Sequence, residues 1–467
     1  MKTKFLSTLL AISLALLAAC GGPSALDSTS AGNQSFTEST FSYTPLEKNE
    51  EEMEPFNKDP VLPETVMVDE NGVKITAKGL TYDEYYANLE LLIENNSGKD
   101  LSFISGSVGY NCNSINGYMI REGYLNCDVA DGKKANAVIQ FNYDTLMLYG
   151  IHEIADIEIG FDIADDEYNH TYSGPRQLKT SAFDLHDYKT DPYQDAITSN
   201  AAMSTYGYDM SCFSKEALYD KNGVKLLSSG VMTNQDGDSI LLLELENTNE
   251  YVVYISTSNI GINGLVVNSS IWSSSTINPG KRCILDVQLS SVFDTAYWGV
   301  YGIRDVGTVS LYLGQYGEDG DELAAETPVE IAVPGTSAQF DVSGNEIYND
   351  NGLRIVAKTV LEEASEYSAD FYVMLLAENN SGNLFTIRDV YDSLSVNGFM
   401  TDYSYYSQDV KGGESAVLTI KLRESSLEEN RISSPSDIEE IEVSFEIAEG
   451  YTVIDEPTLT ILFGEQS

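Results

Sequence analysis

The side chains with the clearest means of doing chemistry are carboxylates in glycine-centred turns. Asp236 and Asp238 flank Gly237 in NQDGDS, and Asp319 and Asp321 flank Gly320 in GEDGDE. Clustered carboxylate oxygens are what Ca²⁺ takes, and an EF-hand loop ends on a bidentate Glu. Asp236 and Asp238 lack that Glu, and Glu326 follows Asp319 and Asp321 out of register. The four are therefore candidate Ca²⁺ ligands set against plain solvated turns. Catalytic patterns are missing: there is no G-x-S-x-G, H-E-x-x-H, P-loop or G-x-G-x-x-G. Nothing selects a carboxylate pair for glycoside hydrolysis. The sequence leads to no catalytic residue, no cofactor and no enzyme. Cys112 and Cys127 are a candidate disulfide across adjacent strands, and with Cys212 and Cys283 three pairings are open. No C-x-x-C zinc spacing occurs, and His152, His170 and His186 are the only histidines. Two tyrosine clusters, YDEYY at Tyr82–Tyr86 and YSYY at Tyr403–Tyr406, suit either a glycan- or peptide-binding face or cross-strand packing.

The elements that carry these residues begin with a leader. Lys2 and Lys4 precede an apolar run from Phe5 to Ala18, too short for a membrane span, so the first stretch reads as a secretory signal peptide. It ends Leu17-Ala18-Ala19-Cys20. This resembles the lipobox of bacterial lipoproteins, which implies cleavage before Cys20 and acylation of its thiol by diacylglycerol, with palmitate-like chains as the anchor. The alternative is an ordinary signal peptide with an incidental cysteine. Each buried methylene of such chains adds about 0.8 kcal/mol to membrane binding. The expectation is a cell-membrane protein on the extracytoplasmic face.

The chain has 467 residues, 73 acids against 26 bases and a formal charge of −47. Phosphate contacts are made by Lys and Arg, so nucleic acid is excluded as a partner. The acidity fits solubility at a surface, or attraction of cations and basic partners. Tyr is frequent at 30 and Trp rare at 2, a composition that suits half-buried strands. Residues 20–64, rich in Ser, Thr, Gly, Pro and Glu, are expected to be a disordered acidic tether.

From there one order of landmarks recurs three times. An Asn-Gly pair opens each copy, at Asn71-Gly72, Asn222-Gly223 and Asn351-Gly352. An apolar run then ends in Glu94-Asn95, Glu246-Asn247 and Glu378-Asn379. A second Asn-Gly follows at Asn116-Gly117, Asn263-Gly264 and Asn397-Gly398, then a glycine turn at Gly132, Gly280 and Gly413 leading into a strand. Asn-Gly between alternating apolar runs signals a tight hairpin. Strands of period two with turns between them over each copy predict an all-β chain of three tandem antiparallel immunoglobulin-like β-sandwiches, with a small barrel as the alternative fold. The expected boundaries are a signal peptide at 1–19, the tether at 20–64, repeat 1 at 65–182, a linker with a short helix at 183–216, repeat 2 at 217–335 and repeat 3 at 336–467. The three sandwiches, joined by linkers, are expected to unfold in more than one step.

The repeats resemble uncharacterised immunoglobulin-like domains in surface lipoproteins of Gram-positive, often clostridial, bacteria. That resemblance implies fold and location and brings no site residues. The functional expectation is a lipid-anchored spacer and binding array for an unidentified extracellular or envelope protein or glycan. The alternatives are a Ca²⁺-dependent structural protein of the envelope and, behind it, an envelope-glycan enzyme.

Overall fold

The computed structural model describes residues 53–106, 113–234, 238–267, 272–289, 295–364 and 369–463. Asn71 and Gly72 take φ of 54° and 78°, Asn222 and Gly223 43° and 74°, and Asn351 and Gly352 53° and 83°. Two successive positive φ values make the turn whose twist matches its flanking strands. Thr65–Glu70 folds back on Val73–Tyr82, Asp220–Lys221 on Val224–Asn234, and Asn345–Asp350 on Leu353–Ala364. At Gly72 no other residue fits, since a Cβ would lie 2.4 Å from the Asn96 carbonyl oxygen.

In repeat 1 the strands Tyr86–Asn95 and Lys133–Asn142 complete a four-stranded antiparallel sheet, with Lys133–Asn142 at one edge. Alternation turns Leu89, Leu91 and Ile93 inward, where they are buried. The facing layer is built from Leu101–Ser105, Asn113–Ile115, Leu125–Val129, Asp156–Asp165 and His170–Lys179. Repeats 2 and 3 place their first layers in the same way, ending on Arg282–Gln288 and Ser415–Leu422. The chain is all-β, as expected.

Each Glu-Asn phrase ends on a buried amide. Asn95 Nδ2 donates to the Lys99 and Val129 carbonyls at 2.8 and 2.7 Å, and its Oδ1 accepts from Ser97 N at 3.0 Å. Asn247 holds Tyr251 and Ile277 at 2.9 and 2.8 Å, and Asn379 holds Asn383 and Val410 at 2.8 Å each. One side chain thus closes its own hairpin and ties it to the facing layer. The second Asn-Gly does equivalent work. Asn116, Asn263 and Asn397 donate to the Glu153, Asp305 and Asp437 carbonyls at 2.7–2.8 Å, and each Oδ1 accepts two backbone N–H groups beyond.

The sheets do not stop at the repeat boundaries. After Asn116-Gly117 the short strand Tyr118–Ile120 runs parallel to Arg282–Gln288 of repeat 2, with Tyr118 opposite Arg282. After Asn263-Gly264 the strand Leu265–Val266 runs parallel to Ser415–Leu422 of repeat 3. These bridging strands merge the layers into sheets of eleven and ten strands. Met119 lies in the core of repeat 2 and Val266 in the core of repeat 3. The repeats are therefore joined by backbone hydrogen bonds and shared cores as well as by linkers.

Two expected boundaries move. Residues 53–64 of the tether are packed: Phe56 and Leu62 are buried, and Phe56 stacks on Tyr143 with ring centroids 4.5 Å apart. Two apolar anchors outweigh the polar composition around them. Residues 20–52 lie outside the described residues. The linker at 183–216 holds two helices, α1 (Pro192–Ile197) and α2 (Asn200–Tyr206), where one was expected, because Thr198 and Ser199 interrupt them and Ser199 caps the second. Its last part, Tyr208–Ser214, is a strand of repeat 2, paired with Val224–Asn234.

Candidate functional site at the joint of repeats 1 and 2

Where the first bridging strand meets repeat 2, a cavity of about 370 Å³ opens, within the size range of small-ligand sites. Tyr118, His152, His186, Tyr188, Lys281 and Arg282 are on its walls. The Asn116 clamp fixes one wall. Gly117 completes the turn, and its carbonyl accepts the Arg282 N–H at 2.9 Å. Gly150 lets the linker descend onto the joint, since a Cβ there would lie 2.5 Å from the Pro192 carbonyl oxygen.

The cations of the cavity are held by carboxylates. Lys281 Nζ is 2.6 Å from Glu158, and Arg282 is 3.3 Å from Asp191 and 3.4 Å from Glu246. Beside them Arg121 is 2.5 Å from Asp286. Every one of these but Arg282–Glu246 joins different parts of the chain across the joint. Tyr118 donates to Asp191 Oδ1 at 2.8 Å, and Tyr188 donates to Asp156 Oδ1 at 2.8 Å. Burial, then the neighbouring carboxylates, keep both phenols protonated far above the usual tyrosine range.

Under the cavity Glu244 is buried, accepting from Ser228 Oγ at 2.7 Å and Gln194 Nε2 at 2.9 Å. Burial first, and then Asp191, push its carboxyl up to about 7. The native state thus keeps this proton at pH values where the unfolded chain has lost it. Stability conferred at the joint falls as pH rises from the ordinary carboxylate range to about 7, then levels off. Glu244→Gln mimics the protonated form. It is expected to flatten that slope and to be more stable than the parent at pH 8 by about 3 kcal/mol. Urea titrations from pH 5 to 8 check this, and parallel pH profiles for the two proteins would refute it.

The arrangement can hold a small polar ligand between two imidazoles, two phenols and paired charges. It lacks a nucleophile set against a base. The histidines divide: His152 and His186 reach the cavity, while His170 stands apart with Nδ1 3.0 Å from Asp162. Tyr188, Asp191 and Gln194 come from the linker, whose irregular sequence hid them; Pro192 at the first turn of α1 was the one legible signal there.

The other predicted residues that are described stay apart from this cavity. Cys20, Cys112 and Asp236 lie outside the described residues. Cys127 is a half-buried thiol on Leu125–Val129, and burial raises it. Cys212 and Cys283 are thiols in the second core. Asp238 closes its hairpin through Asn234, whose Nδ2 is 3.1 Å from Asp238 Oδ2. Asp319 and Asp321 sit exposed in a turn closed by Gly317 N donating to the Asp321 carbonyl at 2.8 Å. Among the described residues no three His, Cys, Asp or Glu side chains gather as a metal site requires. In the first tyrosine cluster Tyr82 is spent on the Pro60 carbonyl, while Asp83 accepts from Tyr85 and Tyr86 N–H groups. In the second, Tyr405 packs edge-on against Phe445 at 5.3 Å. Tyr406 is exposed in a shallow groove with Tyr372, Lys421 and Arg423.

No family model matches the chain, and no curated protein does. Among solved structures it is similar to the YadV chaperone, at 9% identity over 48% of this chain and 92% of that one, with a TM-score of 0.15. An exo-chitosanase from Amycolatopsis orientalis gives 11% identity over 50% of this chain and 26% of that one, TM-score 0.17. A bacterial ice-binding adhesin gives 8% over 88% and 98%, TM-score 0.13. TM-scores this low carry no argument about activity.

Proposed function

We propose that this chain is an extracytoplasmic surface protein, held to the cell membrane by lipid on Cys20, in which fused β-sandwich repeats act as a spacer and binding array. The partner is an envelope or extracellular protein or glycan. The observation that carries this reading is the joint. Parallel strand pairing and a charge network hold repeats 1 and 2 in one arrangement around a polar cavity. A merely flexible string would not need that. The leader residues and the charge of −47 support an exported, well-solvated surface location.

The test is capture from native cell envelope by the immobilised chain beginning at Met53, with and without Ca²⁺. The expected result is one protein or glycan retained in both conditions and lost with a His186→Ala/Tyr188→Ala variant. Retention only with Ca²⁺ would move the site to the acidic turns. No retention would leave the binding reading wrong.

A further inference from the structure

The two joints use one device, and the chain carries a third copy of each half of it. Aligned on their Asn-Gly turns, Met119, Val266 and Met400 are equivalent, as are Tyr118, Leu265 and Phe399. Tyr118, Met119, Leu265 and Val266 are all buried: Met119 and Val266 lie in the cores of the following repeats, while Tyr118 and Leu265 lie in the clusters of their own. Phe399 and Met400 form the same short strand, Phe399–Met400, at the edge of the last sheet, but they are 53% and 62% exposed. Among the described residues nothing pairs with its outer edge.

Among the described residues the receiving half is also present without an occupant. Arg282–Gln288 and Ser415–Leu422 receive bridging strands, and Lys133–Asn142 is their equivalent in repeat 1, left at a sheet edge. Where a bridging strand is seated, the inward residues beside it are fully covered: Cys283 and Leu285 in repeat 2, Ala416 and Leu418 in repeat 3. Their counterparts Ala135 and Ala137 are only half-buried, and Val138 is 46% exposed. The first core is open at the place where Met119 and Val266 close the other two.

The geometry points to head-to-tail association of this chain with a second copy, Phe399–Met400 of one adding in parallel to the Lys133–Asn142 edge of the next. The surrounding residues match. Lys133 stands where Lys281 binds Glu158, and Glu442 stands where Glu158 does. Lys134 stands where Arg282 meets the Tyr118 ring, and would meet Phe399. In the joint of repeats 2 and 3, Tyr301 donates to the Leu375 carbonyl at 2.8 Å beside Met374. At the free ends both sides become polar together: Asn430 and Arg431 replace Tyr301 and Gly302, while Glu90 and Asn136 replace Met374 and Val417. A polar outer face makes this contact weaker than the internal joints, as suits a reversible one. A like contact repeated from chain to chain is heterologous, so it extends rather than closing on a pair.

The test is sedimentation velocity of the full chain in detergent micelles at rising concentration. The wild type is expected to form dimers and longer species. Met400→Asp should remove the donor and Asn136→Pro the acceptor, each weakening self-association by about tenfold or more. Both positions are exposed, and the Asn136 edge faces outward, where proline is tolerated. An equimolar mixture of the two variants should form a one-to-one dimer and go no further. Should the proline variant misfold, Lys133→Glu and Glu442→Lys serve instead: each alone weakens association, and combined in one chain they restore it. A monomeric wild type would overturn the inference, and so would self-association of Asn136→Pro at wild-type strength, which would mean tail-to-tail pairing.

Discussion

Asn379→Ala is expected to destabilise repeat 3 by about 4 kcal/mol, a loss that chemical denaturation of the parent and the variant would read directly. The side chain is buried, and its amide is the donor for two carbonyls, Asn383 in its own hairpin turn and Val410 in the facing layer. Its Oδ1 accepts from Ser381 N at 2.9 Å and Ser381 Oγ at 2.6 Å. Truncation removes four bonds, each worth about 1 kcal/mol, and strands the buried Val410 carbonyl, which costs about 1–3 kcal/mol. Asn95→Ala should behave alike, because it loses the same four bonds, and Asn247→Ala should cost somewhat less, because Asn249 stands where the serine hydroxyl binds in the other two copies. A loss below about 1 kcal/mol would mean that these amides are incidental to the fold.

The second large effect is at the joint. Arg282→Ala is expected to cost about 3 kcal/mol, since it leaves Asp191 and Glu246 without their shared cation in a half-buried site. It should also alter the unfolding profile. Shared sheets should make repeats 1 and 2 unfold together in the parent, whereas the variant should show repeat 1 separating from repeat 2 in differential scanning calorimetry. An unchanged profile would place the coupling elsewhere. Arg282→Lys is a useful companion: it keeps the charge but loses the fork that reaches Tyr118, Asp191 and Glu246 at once.

Much of this architecture was legible because it was written three times. Asn-Gly turns, alternating strands and the Glu-Asn phrase pointed to an all-β chain, and the structure shows why the phrase recurs: Asn95, Asn247 and Asn379 each bond both layers. What periodicity could not convey was pairing between repeats. Tyr118–Ile120 and Leu265–Val266 are too short to read as strands, and a parallel partner more than a hundred residues away leaves no local signal. The candidate cavity was illegible for the same reason. His152 and Lys281 look unrelated in sequence, and the linker that supplies Tyr188 and Asp191 has no period to follow. The packed end of the tether was missed because Phe56 and Leu62 are single anchors in a polar stretch, and composition averages them away.

Bridging strands merge successive repeats into continuous sheets. The most direct test is hydrogen exchange of the Arg282 amide in dilute protein, compared with Lys134, its equivalent on the open edge of repeat 1. Arg282 N–H donates across the joint to the Gly117 carbonyl at 2.9 Å, so it should be protected as strongly as the core strands, while Lys134 exchanges freely. Equal, rapid exchange at both amides would contradict the account and return the repeats to separate units on linkers.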